Sequence, residues 1–433
     1  MVKMQDSKLT ATTWTSTDEQ AHLNSELEWW CIESFFTTND TRNWCLKAVL
    51  SQSLDKSTGK KASVINITLF DLEKQRIIPF CSRDLSNHLE TKGKRFSYQD
   101  SFIEGSYPDY RMHFKDGDHK IELSLSFHAT AKPYWVAQEA TKGWIPMGLG
   151  YYRYGFIPLG TISGNIKIQS DVYDITGRGY YEHVWGNFSY VTQNRRFRDL
   201  KKTFSLYSRL IQWFLHGRRI TIPSSIIFAT ENSPFGNDWI WAVFENKWTL
   251  FYGNALFWMM RGPAFGSLIL TKDGKYYTEF SEITFSYPKV CMAKHQDFVY
   301  PSEICLMAKK GNEQISLQCK MTTEPREWTN RIPKGKYWVS NTICEAPGVI
   351  EGFYNDGNET TNLRGICKIE PQRQVSILGH NSLTINILKP PNGVGFHLEI
   401  DSHFLRKNLA FEIRLTPRLK IHLRQQRKEP KIF

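Results

Sequence analysis

The chain has 433 residues, more than one hydrophobic core comfortably serves, so two domains of about 200 residues are expected. Its 41% hydrophobic and 23% charged content excludes a disordered or fibrous protein, and 14% aromatic content favours strands and apolar ligand pockets. The net charge of +12 suits an anionic surface or acidic partner, but no helix-turn-helix, zinc-finger or RNP pattern accompanies it, so no nucleic-acid partner is expected.

Residues 1–18 are polar and read as a loose leader lacking the apolar core of a signal peptide. A first β domain is expected over 19–194. From Glu28 to Phe36 the chain has a strand's aromatic richness, with a turn-rich stretch behind it. Trp44 to Leu50 and Ala62 to Phe70 read as the next strands. Tyr110 to Phe114 and Lys120 to His128 flank Asp116-Gly117, a hairpin signal. Thr161 to Ile175 reads as one strand-like run.

Residues 195–225 break the pattern. Leu200, Phe204, Tyr207, Ile211 and Phe214 recur at helical spacing, with Leu210 and Leu215 widening the stripe. The helix packs this stripe on a barrel or lies on an anionic membrane. In the second case Arg195, Arg196, Lys201, Lys202 and Trp213 face the lipid.

The β style resumes over 226–417, with runs at Asp238 to Phe244, Thr249 to Met260 and Tyr277 to Phe285 and a second hairpin signal at Asp273-Gly274. Residues 418–433 read as a solvated basic tail. Many short strands with turn chemistry between them predict an all-β barrel or sandwich.

Eight singly scattered cysteines fit reduced thiols, and no apolar run reaches the roughly 18 residues of a spanning helix. A cytoplasmic protein, with possible peripheral contact to membrane, is the expectation. No Gly-x-Gly-x-x-Gly, Walker, His-Glu-x-x-His or Gly-x-Ser-x-Gly pattern occurs, so neither a cofactor nor a metal is signalled.

The densest chemistry lies from Gly177 to Gly186, where Tyr180, Tyr181, Glu182, His183 and Trp185 sit between glycines. Strand alternation sends Tyr180 and Glu182 to one face, and Tyr181, His183 and Trp185 to the other. A carboxyl shielded from water holds its proton more readily, which suits a general acid acting on an unactivated double bond. A Glu-His pair among aromatics serves equally well as a satisfied polar cluster.

Three blocks together resemble the carotenoid 1,2-hydratase (hydroxyneurosporene synthase) and AttH-like superfamily of lipocalin-related proteins. They are His22 with Glu28-Trp29-Trp30, Tyr151 to Tyr154 running to Ser163-Gly164, and Gly179 to Gly186. Asp238-Trp239 with Trp241 is similar to the family's Asp-Trp-x-Trp strand. Cys31 stands where the family has tyrosine, Gly365 to Glu370 departs from its C-terminal block, and the basic insertion has no counterpart.

The resemblance implies two lipocalin-like antiparallel β-barrels in tandem and an apolar ligand cavity near the central motif. It also implies cofactor-free hydration or cyclisation of an isoprenoid or polyene. By position Glu182 would donate the proton, Tyr180 would assist, and His183 would orient a carboxylate. Trp185 would face the cation. Trp29, Trp30, Tyr152, Tyr154, Trp239 and Trp241 would line the ligand site. A non-catalytic lipid carrier stays open as the alternative.

Overall fold

A computed structural model of the chain describes residues 14–55, 59–84, 89–116, 118–147, 150–188, 197–217, 225–229, 235–255, 265–280, 282–294, 299–334, 337–377, 381–388, 394–402, 407–415 and 421–427. It divides into two compact units, 1–189 with 193–213 and 190–192 with 214–433.

The first unit contains β1 (Leu27–Thr38), β2 (Asn43–Asp55), β3 (Lys60–Asp71), β4 (Arg76–Asp84), β5 (Glu90–Lys92), β6 (Arg95–Tyr98) and β7 (Ser101–Ser106). It continues with β8 (Asp109–Asp116), β9 (Ile121–Ala129), β10 (Tyr134–Trp135), the short α1 (Gln138–Thr141), β11 (Trp144–Met147), β12 (Gly150–Ile168) and β13 (Asp171–Asn187). These 13 strands form one antiparallel sheet, ordered β4-β3-β2-β1-β13-β12-β9-β8-β7-β6-β5, with β10 and β11 added against β12. Helix α2 (Phe197–Gly217) follows.

The second unit holds β14 (Ser225–Ala229), β15 (Phe235–Phe244), β16 (Thr249–Ala255), β17 (Phe265–Lys272), β18 (Tyr276–Glu279), β19 (Glu282–Met292), β20 (Val299–Lys310) and β21 (Glu313–Met321). Next come β22 (Arg326–Lys334), β23 (Tyr337–Asn355), β24 (Thr360–Ile377), β25 (Asn381–Leu388), β26 (Val394–Ser402), β27 (Lys407–Leu415) and β28 (Ile421–Arg427). Its main sheet runs β18-β17-β16-β15-β24-β23-β21-β20-β19. That path repeats β4-β3-β2-β1-β13-β12-β9-β8-β7 of the first unit, with the longest hairpin at the same place. The expected tandem of antiparallel lipocalin-like barrels is therefore present.

Some local readings need correction. The run Thr161 to Ile175 is not one strand: it turns between β12 and β13, with Gln169 at φ +59°. No Asn-Gly or Asp-Gly marks that turn, which is why the alternation alone was misleading. The Asp273-Gly274 signal was sound, since both residues take positive φ, as a tight hairpin demands. Residues within the run read as a tail form β28, the edge of a five-stranded sheet with β14 and β25–β27. Nor is all of 1–18 loose. Trp14 stacks on Trp135 at 5.0 Å, and Asp18 is buried.

Alternation builds the core. Along β9 the odd positions from Ile121 to Ala129 are buried and the even ones face outward. Rings from opposite strands meet inside the first unit, where Trp30 stacks on Phe96 at 4.0 Å and Tyr110 lies 4.4 Å from Tyr181. The interior of this barrel is filled with side chains. Each such large apolar group contributes about 1.5–3 kcal/mol on burial.

Helix α2 is turned by one residue, about 100°, from the predicted stripe. Its protein-facing line is Asp199, Thr203 and Leu206, with Leu210 and Trp213 half-buried, while Phe204 stays 60% exposed. A polar anchor explains the turn: Tyr151 donates to Asp199 Oδ1 (3.1 Å), while the buried Thr203 hydroxyl is satisfied within the helix by the Asp199 carbonyl (2.8 Å). The side chains of Ile211, Phe214 and Leu215 lie outside the described residues. Leu206→Ala should therefore cost about 2–4 kcal/mol in chemical denaturation, and Phe204→Ala should stay within about 0.5 kcal/mol of wild type. Equal costs would refute this orientation.

Candidate functional site

The motif Gly177 to Gly186 lies on β13, paired with β1 on one side and β12 on the other. The register sets Glu182 opposite Cys31 and Phe156, and His183 opposite Trp30 and Gly155. The predicted split of the motif between two faces holds. Gly186 is required by close approach, because a Cβ there would come within 2.3 Å of the Tyr151 carbonyl oxygen.

The outer face carries the Glu182 centre. Trp29 Nε1–H donates to Glu182 Oε1 (2.8 Å), and Tyr180 donates to Oε2 (2.7 Å). Tyr154 also donates to Oε2, and its hydroxyl lies 3.0 Å from that of Tyr180. Three side-chain donors thus converge on one carboxyl that is 8% exposed. Burial, reinforced by the neighbouring Glu182 charge, pushes the Tyr180 phenol well above its ordinary value, so it remains a neutral donor.

Rings wall this carboxyl. Phe156 stacks on Tyr180 at 5.6 Å, and Phe188 lies 5.3 Å from Tyr152 and 6.2 Å from Trp29. Phe188 and Phe156 were not foreseen. Phe188 follows the motif by two residues, and Phe156 has the same strand parity as Tyr152 and Tyr154, so both could have been inferred. Aromatic faces beside an acid can stabilise a developing cation by about 0.5–2 kcal/mol each.

The inner face carries a separate polar network. His183 Nε2 lies 3.0 Å from Glu28 Oε1, and its Nδ1 lies 2.7 Å from the Asp18 carbonyl oxygen. Both ring nitrogens thus face oxygen atoms, which fixes the plane of the ring. Glu28 also accepts from the His22 backbone N–H (2.8 Å), from His22 Nδ1 (2.9 Å) and from Gln52 Nε2 (2.8 Å). Burial alone would raise the Glu28 carboxyl, but the bonds from His183 and His22 outweigh it and hold the group at about 2.

The carboxylate beside His183 is therefore Glu28, on the face away from Glu182. Trp185 also points to the inner side, stacked on His22 at 3.9 Å and 4.7 Å from His183. Trp30 stacks on His183 at 4.9 Å. These three residues are not among those brought to the Glu182 carboxyl.

One candidate ligand set for a metal arises here that the dispersed histidines did not signal. His22, Glu28 and His183 each present an atom within 4.8 Å of the others. Two imidazoles and a carboxylate suit zinc or iron in kind. The same atoms already satisfy one another through hydrogen bonds, so the cluster is chemically complete without an ion.

Trp239 and Trp241 lie in the second unit on β15, buried on the face opposite that unit's core. Beside them on the core face, Asp238 pairs with Arg373 (2.9 Å) and accepts from Asn254 (3.1 Å) and Tyr287. Lys202, assigned above to a membrane, instead sits over Trp144 and Tyr151, at 3.4 and 4.1 Å from the ring centres. Burial draws its ammonium down to about 8, while the ring faces favour its charged form. Trp213 Nε1–H points to Glu139 (3.4 Å). Arg195 and Arg196 lie outside the described residues.

A cleft of about 190 Å³ opens at the far end of the first barrel, lined by Arg42, Trp44, Lys74, Arg76, His119 and Tyr173 among others. It is on the order of 30 Å from Glu182 along β13, at ~3.3 Å per residue. The expected apolar cavity beside the motif is therefore not this one.

No family model and no curated protein matches the sequence. Solved structures do match. An AttH protein assignment from Nitrosomonas europaea aligns with TM-score 0.55 and 14% identity, over 85% of this chain and 99% of that one. Kievitone hydratase from Nectria haematococca aligns with TM-score 0.57 and 12% identity, over 84% and 94%. The chain shares their fold.

Proposed function

We propose that this protein is a cofactor-free acid catalyst that hydrates or cyclises a carbon–carbon double bond of an apolar isoprenoid or polyene, with Glu182 as the proton donor. The observation that carries the reading is the convergence of Trp29, Tyr154 and Tyr180 on one nearly buried carboxyl inside an aromatic wall.

The chemistry follows from these contacts. In its protonated form Glu182 donates through Oε2, and the adjoining Tyr154 and Tyr180 hydroxyls turn to accept or relay. Transfer of that proton to an alkene carbon leaves a tertiary cation, which the faces of Trp29, Tyr152 and Phe188 stabilise. Water capture gives an alcohol, and capture by a second double bond gives a ring. The proton lost at the end returns to the Glu182 carboxylate. His183 and Glu28 hold β1 and β13 in place from the other face.

The fold shared with kievitone hydratase, a hydratase by name, agrees with this chemistry. A carrier would use the same aromatic wall without the proton transfer. To separate the two, purified protein is incubated with linear isoprenoids and polyenes in oxygen-18 water. Hydration puts the heavy oxygen into a product, and cyclisation gives an isomer of the substrate. Tight binding of these ligands with no new product from any class would favour the carrier and refute the catalyst.

A further inference from the structure

Helix α2 presents a second surface, remote in kind from the Glu182 chemistry. With Asp199, Thr203 and Leu206 turned to the protein, the opposite side consists of Phe197, Arg198, Lys201, Phe204, Ser205, Ser208 and Arg209. The only acid of the helix, Asp199, is buried and bound to Tyr151. Every charge on the outward face is therefore positive. In the sequence it is flanked by Arg195 and Arg196 on one side and Arg218 and Arg219 on the other.

Two aromatic rings stand on this face. Phe197 is 82% exposed, the highest value for any large hydrophobic side chain among the described residues, and Phe204 is 60% exposed. They are seven residues apart, two helical turns, with Lys201 midway, so the rings project on the same side about 10 Å apart. A ring so exposed gains nothing in water, and three cations without a carboxylate repel one another. Both costs vanish against a surface that is anionic outside and apolar a few ångströms deeper.

We propose that the outward face of α2 docks on an anionic lipid bilayer, with Phe197 and Phe204 entering the acyl boundary and Arg198, Lys201 and Arg209 contacting headgroups. The contact differs from the one suggested by sequence, because Lys202 and Trp213 are turned to the protein and take no part. Nucleic acid would satisfy the cations but leave both rings in water. The lipid surface satisfies both, and it would bring an apolar substrate to the protein whichever chemistry follows.

The test is flotation of the full-length protein with vesicles of phosphatidylcholine and phosphatidylserine at low salt. Binding is expected to fall at least tenfold in pure phosphatidylcholine, and to fall strongly in high salt. Phe197→Ser/Phe204→Ser and Lys201→Glu/Arg209→Glu should each weaken it at least tenfold. Lys289→Glu/Lys310→Glu, with the same change in net charge on exposed strands of the second unit, should leave it within about twofold. All these positions are exposed, and circular dichroism reports whether the fold is kept.

No flotation with serine-containing vesicles at low salt overturns the proposal. So does binding that the phenylalanine pair leaves unchanged, which would be diffuse electrostatics, or binding only to a duplex oligonucleotide. Loss of vesicle binding with turnover intact separates this surface from the Glu182 reading.

Discussion

Glu182→Gln should bind an apolar ligand as wild type does and lose turnover by about 10²-fold or more. Glutamine keeps the shape: with its oxygen in the Oε1 place it still accepts from Trp29, and its NH2 in the Oε2 place donates to the tyrosine hydroxyls, so the aromatic wall stays in place. It carries no transferable proton, and positioned proton transfer contributes about 10²–10⁴-fold. Tyr154→Phe and Tyr180→Phe each remove one donor and leave the carboxyl, so each should cost less than Glu182→Gln. A Gln variant with wild-type turnover would remove Glu182 from the mechanism.

The second large effect concerns stability. Removing a buried charge from a network that it holds together costs about 3–5 kcal/mol, because its partners are left without compensation. Glu28 and His183 are both fully buried, and Glu28 holds His22 and Gln52 as well. Glu28→Ala should therefore lower the unfolding free energy by about that amount, measured by urea titration near neutral pH.

The same group gives a pH dependence of definite sign. The Glu28 carboxyl is lowered from 4.5 to about 2 in the fold. Its contribution is fully present above the unfolded value near 4.5 and is lost as pH falls toward 2. The interval corresponds to on the order of 3 kcal/mol. Wild type should lose stability steeply over that window, and Glu28→Gln should lose less. Parallel acid curves for the two proteins would show that Glu28 is not held in its charged form.

Much of this arrangement was readable from residues, and the limits have physical causes. Period-two alternation placed Tyr180 and Glu182 on one face and His183 on the other, because neighbouring strand residues point oppositely. It could not say which partners wait on each face. Trp29 and Glu182 are 153 residues apart in sequence, and only the β1–β13 register brings them together. That register also gave His183 to Glu28, a carboxylate that the sequence did not single out for it.

The helix shows a different limit. A count of apolar residues favoured Phe204, yet the hydrogen bond from Tyr151 to Asp199 decides the inward side. The doubling of the strand order was hidden because topology repeats while residues do not: Glu28 faces the first core, and Asp238 with Arg373 serves the second.

Proton donation from Glu182 to carbon is tested most directly by running the reaction in deuterium oxide and locating the label by mass spectrometry and NMR. Protonation of a double bond predicts one carbon-bound deuterium per turnover, delivered to a single face, and its formation should fall at least about 10²-fold in Glu182→Gln. A product formed at full rate with no carbon-bound deuterium would contradict acid catalysis at this site.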